Sequence, residues 1–186
     1  MPHIKLESHL PGITGLLEFR KDTGQPIREL TQILMRGPST LSEAERELIA
    51  TIVSHGNQCK FCTAAHAAAT NLLLGEKQTT EMVQADIVSA PVSGKMKALL
   101  TIAALTGKSG KLVTQEEIGK ARAEGATDLE IHDTVLIAAL FSLYNRYVDG
   151  MATAMPENEG YFDMLAERLV NHGYTRLPQG YDHLKK

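Results

Sequence analysis

Apolar and polar positions repeat at helical spacing along nearly the whole chain, and no stretch alternates convincingly with a period of two. The pattern predicts an all-α fold. Leu48, Ile49, Ile52 and Val53 lay an apolar stripe along a helix that opens at Glu43. Ser42 and Glu45 form a capping box there, in which each side chain satisfies a backbone donor of the other. Gly56-Asn57 reads as the bend that ends this helix, because both residue types tolerate left-handed backbone angles. A second helix is expected from near Cys59 to about Leu74, with Gly75 as its C-terminal cap. Its alanines, Ala64, Ala65, Ala67, Ala68 and Ala69, allow another helix to approach closely.

The same signals divide the rest of the chain. Met1 to about Leu10 reads as an extended arm and Pro11–Phe19 as a short helix. Pro26–Met35 is a second helix, with the proline near its start, and Gly37-Pro38 breaks the chain after it. Thr79 or Thr80 opens a short helix that must end before Pro91. Ser93 caps a helix over Lys95–Thr106, closed by Gly107. Thr114 and Glu117 form a second capping box, with Val113 and Ile118 at hydrophobic-staple spacing, and Gly125 ends that helix. Thr127 and Glu130 open a long helix expected to reach Met155, where Pro156 stops it; a last helix covers Tyr161 to Asn171, and Leu177–Lys186 is a polar tail. The 186 residues suit a single domain. A shift of 85 positions lays Ser42 on Thr127, Glu45 on Glu130 and Gly75 on Gly160, so a duplicated helical unit is expected. In that register Cys59 meets Tyr144, Cys62 meets Tyr147 and His66 meets Met151, so the chemistry does not repeat. Tyr144, Asn145, Arg146 and Tyr147 are then candidates to wall a pocket.

Composition narrows the class without naming a function. With 43% hydrophobic and 22% charged residues the chain reads as a soluble globular protein. A formal net charge of −3 gives no reason to expect nucleic acid or an anionic membrane as partner. The longest apolar run, Val135–Tyr144, is too short to span a bilayer, and the first residues lack the basic start and apolar run of a signal peptide. A cytoplasmic location is expected, and in that reducing compartment a C-x-x-C is more often catalytic or metal-binding than a structural staple.

The chain has two cysteines, Cys59 and Cys62, spaced C-x-x-C at the predicted helix start. Cys59, Cys62, His66, Ala69 and Leu73 fall on one stripe of that helix. The thiolate is the nucleophile, and the helix N-terminus offers it partial positive charge. His66 can take the thiol proton, and Glu47 can orient His66 if the bend folds the first helix back. Cys62, nearest to His66, is expected to be the more acidic thiol, and Cys59 lies within disulfide reach of it. Two blander readings stay open. The cysteines could be small buried residues, or they could ligate zinc with His66 and either His55 or Glu47.

The pattern Glu47-x11-Cys59-x-x-Cys62-x3-His66 resembles the active-site signature of the alkylhydroperoxidase D group of the carboxymuconolactone decarboxylase superfamily. The longer stretches PGITGLLEFRKDTGQPIRELTQILMRGPSTLSEAERELIATIVS and FSLYNRYVDG resemble its peroxidase-related branch, so the likeness runs from about Pro11 to Gly150. The resemblance implies an alkylhydroperoxidase D-like helical fold with the C-x-x-C at a helix N-terminus. It implies a thiol-dependent peroxidase in which Cys62 attacks the hydroperoxide, Cys59 resolves the sulfenic acid, and His66 and Glu47 relay protons. An external dithiol or thioredoxin-like reductant would complete the cycle, with no metal, haem, flavin or nicotinamide. One departure stands out: the histidine that precedes the attacking cysteine in well-known members is Phe61 here, for which His55 could partly substitute. The superfamily's decarboxylases lack the cysteine pair, which argues against decarboxylation. A general thiol–disulfide oxidoreductase and a non-enzymatic redox sensor or assembly module are the rival functions. The resemblance implies a homo-oligomer (dimer, trimer or hexamer), and the apolar stretch Val135–Leu143 points the same way.

Overall fold

The chain folds as α1 (Gly12–Phe19), α2 (Lys21–Arg36), α3 (Glu43–Gly56), α4 (Lys60–Leu74), α5 (Gln78–Ala85), α6 (Gly94–Lys108), α7 (Gln115–Ala123), α8 (Asp128–Gly150) and α9 (Tyr161–His172), with a short 3-10 turn at Gly110–Leu112. These elements come from a computed structural model that describes residues 1–181, and no strand occurs among them. The fold is all-α, as the periodicity predicts.

Helix α3 is the central element. It packs against α4, α6 and α8, and every residue from Arg46 to Ser54 is buried. Ile49, Val53, Leu99, Leu100, Ile102, Ile137 and Phe141 are almost fully removed from water and form the core between these helices. Each such side chain contributes about 1.5–3 kcal/mol by leaving solvent. Helix α9 then closes over α4 from the other side.

The helix starts follow the sequence signals closely. In α3 the Ser42 hydroxyl accepts from the Glu45 amide at 3.2 Å, and the Glu45 carboxylate accepts from the Ser42 amide at 2.8 Å. The boxes at Thr114/Glu117 and Thr127/Glu130 are equally complete. Helix boundaries depart from expectation at the ends of α3 and α8, at the start of α2, and at α6, which runs through Gly107 to Lys108. The bend after α3 is not made by Gly56-Asn57: Gly56 stays helical, and Gln58 takes the left-handed conformation with φ 61°. There the Cys59 amide reaches the Ser54 carbonyl at 3.1 Å and the Gln58 amide reaches the His55 carbonyl at 2.9 Å, the double bond pattern of a Schellman cap. Helix α8 ends at Gly150 rather than Met155. A like cap closes it, with Ala152 at φ 48°, and the carbonyls of Met151 and Ala154 accept from His3 and Gly12. The N-terminal arm thus competes for backbone that a longer helix would have used. Helix α2 begins at Lys21, not Pro26, which sits inside it. The extra first turn is held against α1 at Gly24, where a Cβ would stand 2.4 Å from the Leu17 carbonyl oxygen.

The duplicated unit is visible only in its first half. Helices α3 and α8 open with matching capping boxes, yet α8 runs straight through the register at which α3 bends, leaving Tyr144 in mid-helix opposite the N-cap Cys59. The expected polar tail also differs: Tyr181 is buried at 6% exposure, and residues 182–186 lie outside the described residues. Among the described residues no helix is long and apolar enough to cross a membrane.

Candidate functional site

Cys59 is the N-cap of α4, and Cys62 and His66 follow on its buried face. The Gln58 turn folds α4 back along α3, so Glu47 and His66, nineteen residues apart, meet with Oε2 2.8 Å from Nδ1. Glu47 is fully buried. Its other oxygen, Oε1, accepts from Arg36 Nη2 at 2.6 Å and from the Tyr174 hydroxyl at 2.6 Å.

This arrangement fixes protonation. Burial acts to raise the Glu47 pKa, but the bonds and charges of His66 and Arg36, with the Tyr174 bond, outweigh it and hold the carboxyl below its ordinary range. Burial and the neighbouring Glu47 charge push the Tyr174 phenol well above its ordinary value, so it stays a donor. With Glu47 ionised, its Oε2 accepts from a protonated Nδ1 of His66, which fixes the orientation of the ring. The imidazole is seated edge-on against Phe141, with ring centroids 4.4 Å apart. The guanidinium of Arg36 also lies 5.1 Å from the Tyr174 ring centroid, so the two donors to Oε1 brace each other.

Both cysteines are reduced and buried, at 0% and 2% exposure. A hydrogen bond with Cys59 and burial push the Cys62 thiol up, and the Asn145 side chain acts in the opposite direction. Cys62 is expected to be the more acidic of the two thiols, and burial with the Cys59 contact opposes that expectation. Burial and the Cys59 contact thus favour the protonated form of the Cys62 thiol in this arrangement. Cys62 and His66 line one small cavity of about 50 Å³ with Phe61, Phe141, Tyr144 and Tyr174.

Of the proposed wall residues, Tyr144 lines this cavity and bonds Thr31 Oγ1 at 2.6 Å; burial pushes its phenol up to about 12. Asn145 is buried, donates to Ser54 Oγ at 3.0 Å and accepts from Asn57 at 2.9 Å. Phe61 fills the position of the missing histidine. Its ring lies where a Cβ on Gly12 would come within 2.3 Å, which explains a glycine at that close approach. Of the candidate pocket residues only Phe61 and Tyr144 line this cavity; Asn145 and three others do not. His55 is exposed at the end of α3, on the wrong face to replace a relay histidine. Arg146 is exposed and donates to the Ser142 carbonyl, and Tyr147 lies one position further along α8, outside the lining. Sequence reasoning missed Arg36 and Tyr174. Arg36 precedes a Gly-Pro break and Tyr174 follows the last helix, so neither lies on a stripe with the cysteines.

The family model described as the carboxymuconolactone decarboxylase family matches residues 22–76, which include Glu47, both cysteines and His66. Among solved structures, an uncharacterized peroxidase-related protein from Silicibacter sp. is 30% identical, with 82% of this chain and 78% of that one covered at a TM-score of 0.74. The chain belongs to the carboxymuconolactone decarboxylase superfamily, in its alkylhydroperoxidase D-like, peroxidase-related branch. A peroxidase-related protein from Ralstonia eutropha, described as an alkylhydroperoxidase AhpD core, shares the fold at 24% identity, 84% and 80% coverage and a TM-score of 0.74. An AhpD-named protein from Agrobacterium tumefaciens shares it at 18% identity, 77% and 97% coverage and a TM-score of 0.66. None of the curated proteins matches the chain in sequence.

The match to the superfamily model ends before α9, so Tyr174 lies outside the shared segment. The donor set also bears on the zinc reading. Glu47 is already bonded by Arg36, Tyr174 and His66, and the adjacent guanidinium repels a cation. Among the described residues no group of three or more His, Cys, Asp or Glu side chains is arranged to hold a metal ion.

Proposed function

We propose that this protein is a thiol-dependent peroxidase that reduces hydroperoxides through Cys62 and Cys59, with His66 and Glu47 as its proton relay. The observation that carries the reading is the buried Arg36–Glu47–His66 chain ending at the cavity that Cys62 lines. Arg36 keeps Glu47 anionic, Glu47 fixes the Nδ1–H tautomer, and Nε2 is left to take the Cys62 proton. The transfer leaves the net charge of the cluster unchanged, which suits a site without water to screen it.

The sulfur of Cys62 attacks one peroxide oxygen. An S–O bond forms as the O–O bond breaks, and His66 passes its proton to the departing alkoxide, giving an alcohol and a sulfenic acid. The Cys59 sulfur then displaces water from that sulfenic acid to form the disulfide. An external dithiol or thioredoxin-like reductant restores both thiols by exchange and leaves as its own disulfide. No metal or organic cofactor enters the scheme. The small cavity that Cys62 and His66 share suits a small oxidant, which sets the general oxidoreductase reading second.

The test is consumption of hydrogen peroxide with dithiothreitol as donor. Cys62→Ser should abolish turnover, and Cys59→Ser should trap a sulfenic acid on Cys62 that dimedone labels. Turnover that survives Cys62→Ser would overturn the assignment.

A further inference from the structure

The cavity at Cys62 is not the only space on this face. A groove of about 480 Å³ lies beside it, and Thr14, Leu165, Arg168 and Tyr181 line both. These four residues form the partition between the inner chamber and the outer groove. Three belong to helices α1 and α9; Tyr181 belongs to the segment that follows α9.

That segment is strapped across the site at three points. Tyr174 donates to Glu47 at 2.6 Å, Arg176 donates to Glu18 at 3.0 Å, and the Tyr181 hydroxyl accepts from Arg168 Nη1 at 3.1 Å. Arg28 and Arg168 both stand 5.7 Å from the centre of the Tyr181 ring. The ring is 6% exposed, so it fills the partition rather than decorating its rim. The backbone that turns it inward uses Gly180 at φ 66°.

The geometry points to Tyr181 as the specificity-determining residue of the thiol chamber, closing it to all but compact hydroperoxides of the size of hydrogen peroxide. This rests on the reading of Cys62 as the peroxide-reactive thiol. The cavity at Cys62, about 50 Å³, is small beside the groove of about 480 Å³. An aryl hydroperoxide cannot enter while the ring is in place. Without the ring, the chamber and the groove become one space whose mixed walls set Tyr161, Met164, Leu165 and Leu177 beside polar groups such as Glu167 and Asn171. Bulky organic hydroperoxides then reach Cys62.

Two sets of probes test this. The first is alkylation of Cys62 by iodoacetamide and by a bulky N-aryl maleimide, read by peptide mapping and with each rate divided by that of free cysteine. The second is oxidation by hydrogen peroxide and by cumene hydroperoxide. The unmodified protein should favour the small probe of each pair by about tenfold or more, since one methylene in a tight apolar pocket already counts for that much. Tyr181→Ala should erase the preference, and Tyr181→Phe should keep it, because the ring and not the hydroxyl occupies the space. Arg168→Gln removes the anchor and should erode the preference with Tyr181 still present. A normalised alkylation preference that is unchanged in Tyr181→Ala overturns the inference. If alkylation follows the expected pattern while no peroxide reacts with any variant, the gate stands and the peroxidase reading fails.

Discussion

Glu47 shows how much a single buried carboxylate can organise. It accepts from three side chains, of which His66 and Arg36 lie on other helices and Tyr174 on the C-terminal strap. Arg36 has one further acidic neighbour, Glu43, at 3.4 Å on the exposed side. Glu47→Gln should therefore do more than slow the chemistry, because it strands most of a buried guanidinium charge. The expected cost is about 3 kcal/mol in urea unfolding, the lower end for breaking such a pair, since Glu43 remains. Glu43→Gln should cost less than about 1 kcal/mol, as for a partly exposed pair. His66→Ala should slow Cys62 alkylation near neutral pH by about 100-fold, the lower range for loss of a positioned base. An unchanged rate would make His66 structural. Glu130 offers a separate pH test. Burial raises its pKa, but Lys95 at 2.7 Å, the Thr127 amide and Thr40 overcome that and lower it to about 2. A depressed folded pKa adds stability above the unfolded value, and that stability is lost as pH falls. Unfolding free energy should thus drop between about pH 4.5 and 2. Glu130→Gln should flatten that limb of the curve.

At the scale of elements, ends matter more than middles. The three capping boxes fix where α3, α7 and α8 begin, and a Ser42→Ala change should cost about 1 kcal/mol through loss of its cap. The ends of α3 and α8 are set by left-handed residues that are not glycine, Gln58 and Ala152, whereas α4, α7 and α9 close at Gly75, Gly125 and Gly173. Ala152 holds φ 48° at the close of α8 with no side-chain role in the site. Ala152→Gly should stabilise the protein by about 0.5–1 kcal/mol in thermal or denaturant unfolding. The relief of left-handed strain, roughly 1–2 kcal/mol, exceeds the added freedom of the unfolded chain. Gln58 holds φ 61° beside Cys59, and there the same strain is tied to the geometry of the site. The turn it makes sets the register that delivers Glu47 to His66.

The whole molecule arranges three layers around the thiols: α3 beneath, α4 carrying the chemistry, and α9 with its following strap on top. Surface composition bears on assembly. Leu30 and Ile33, one turn apart on α2, are 40% and 68% exposed, and Leu129 and Leu143 on α8 are 58% and 46% exposed. We propose a second copy of the chain as the partner that covers these exposed apolar side chains. Sedimentation at low micromolar concentration should show a species heavier than the 20.3 kDa protomer, and a clean protomer would refute self-association.

The sequence by itself determined the helical class, the capped starts of α3, α7 and α8, the placement of Cys59 at the head of α4 and the sharing of one face of α4 by Cys62 and His66. All of these are local: capping boxes span four residues, and helix faces repeat every three or four. The helix ends at Gln58 and Ala152 were not legible, because a Schellman turn without glycine carries no compositional mark and depends on what the freed carbonyls meet. Two features only the tertiary structure decided. Arg36 reaches Glu47 from a separate helix, and Tyr174 reaches it from 127 residues away. The upward push on Cys62 is likewise a product of burial and of contact with Cys59, which no spacing rule contains. Charge and proton affinity in an interior follow from which groups share the same dry space, and that is fixed by packing across elements.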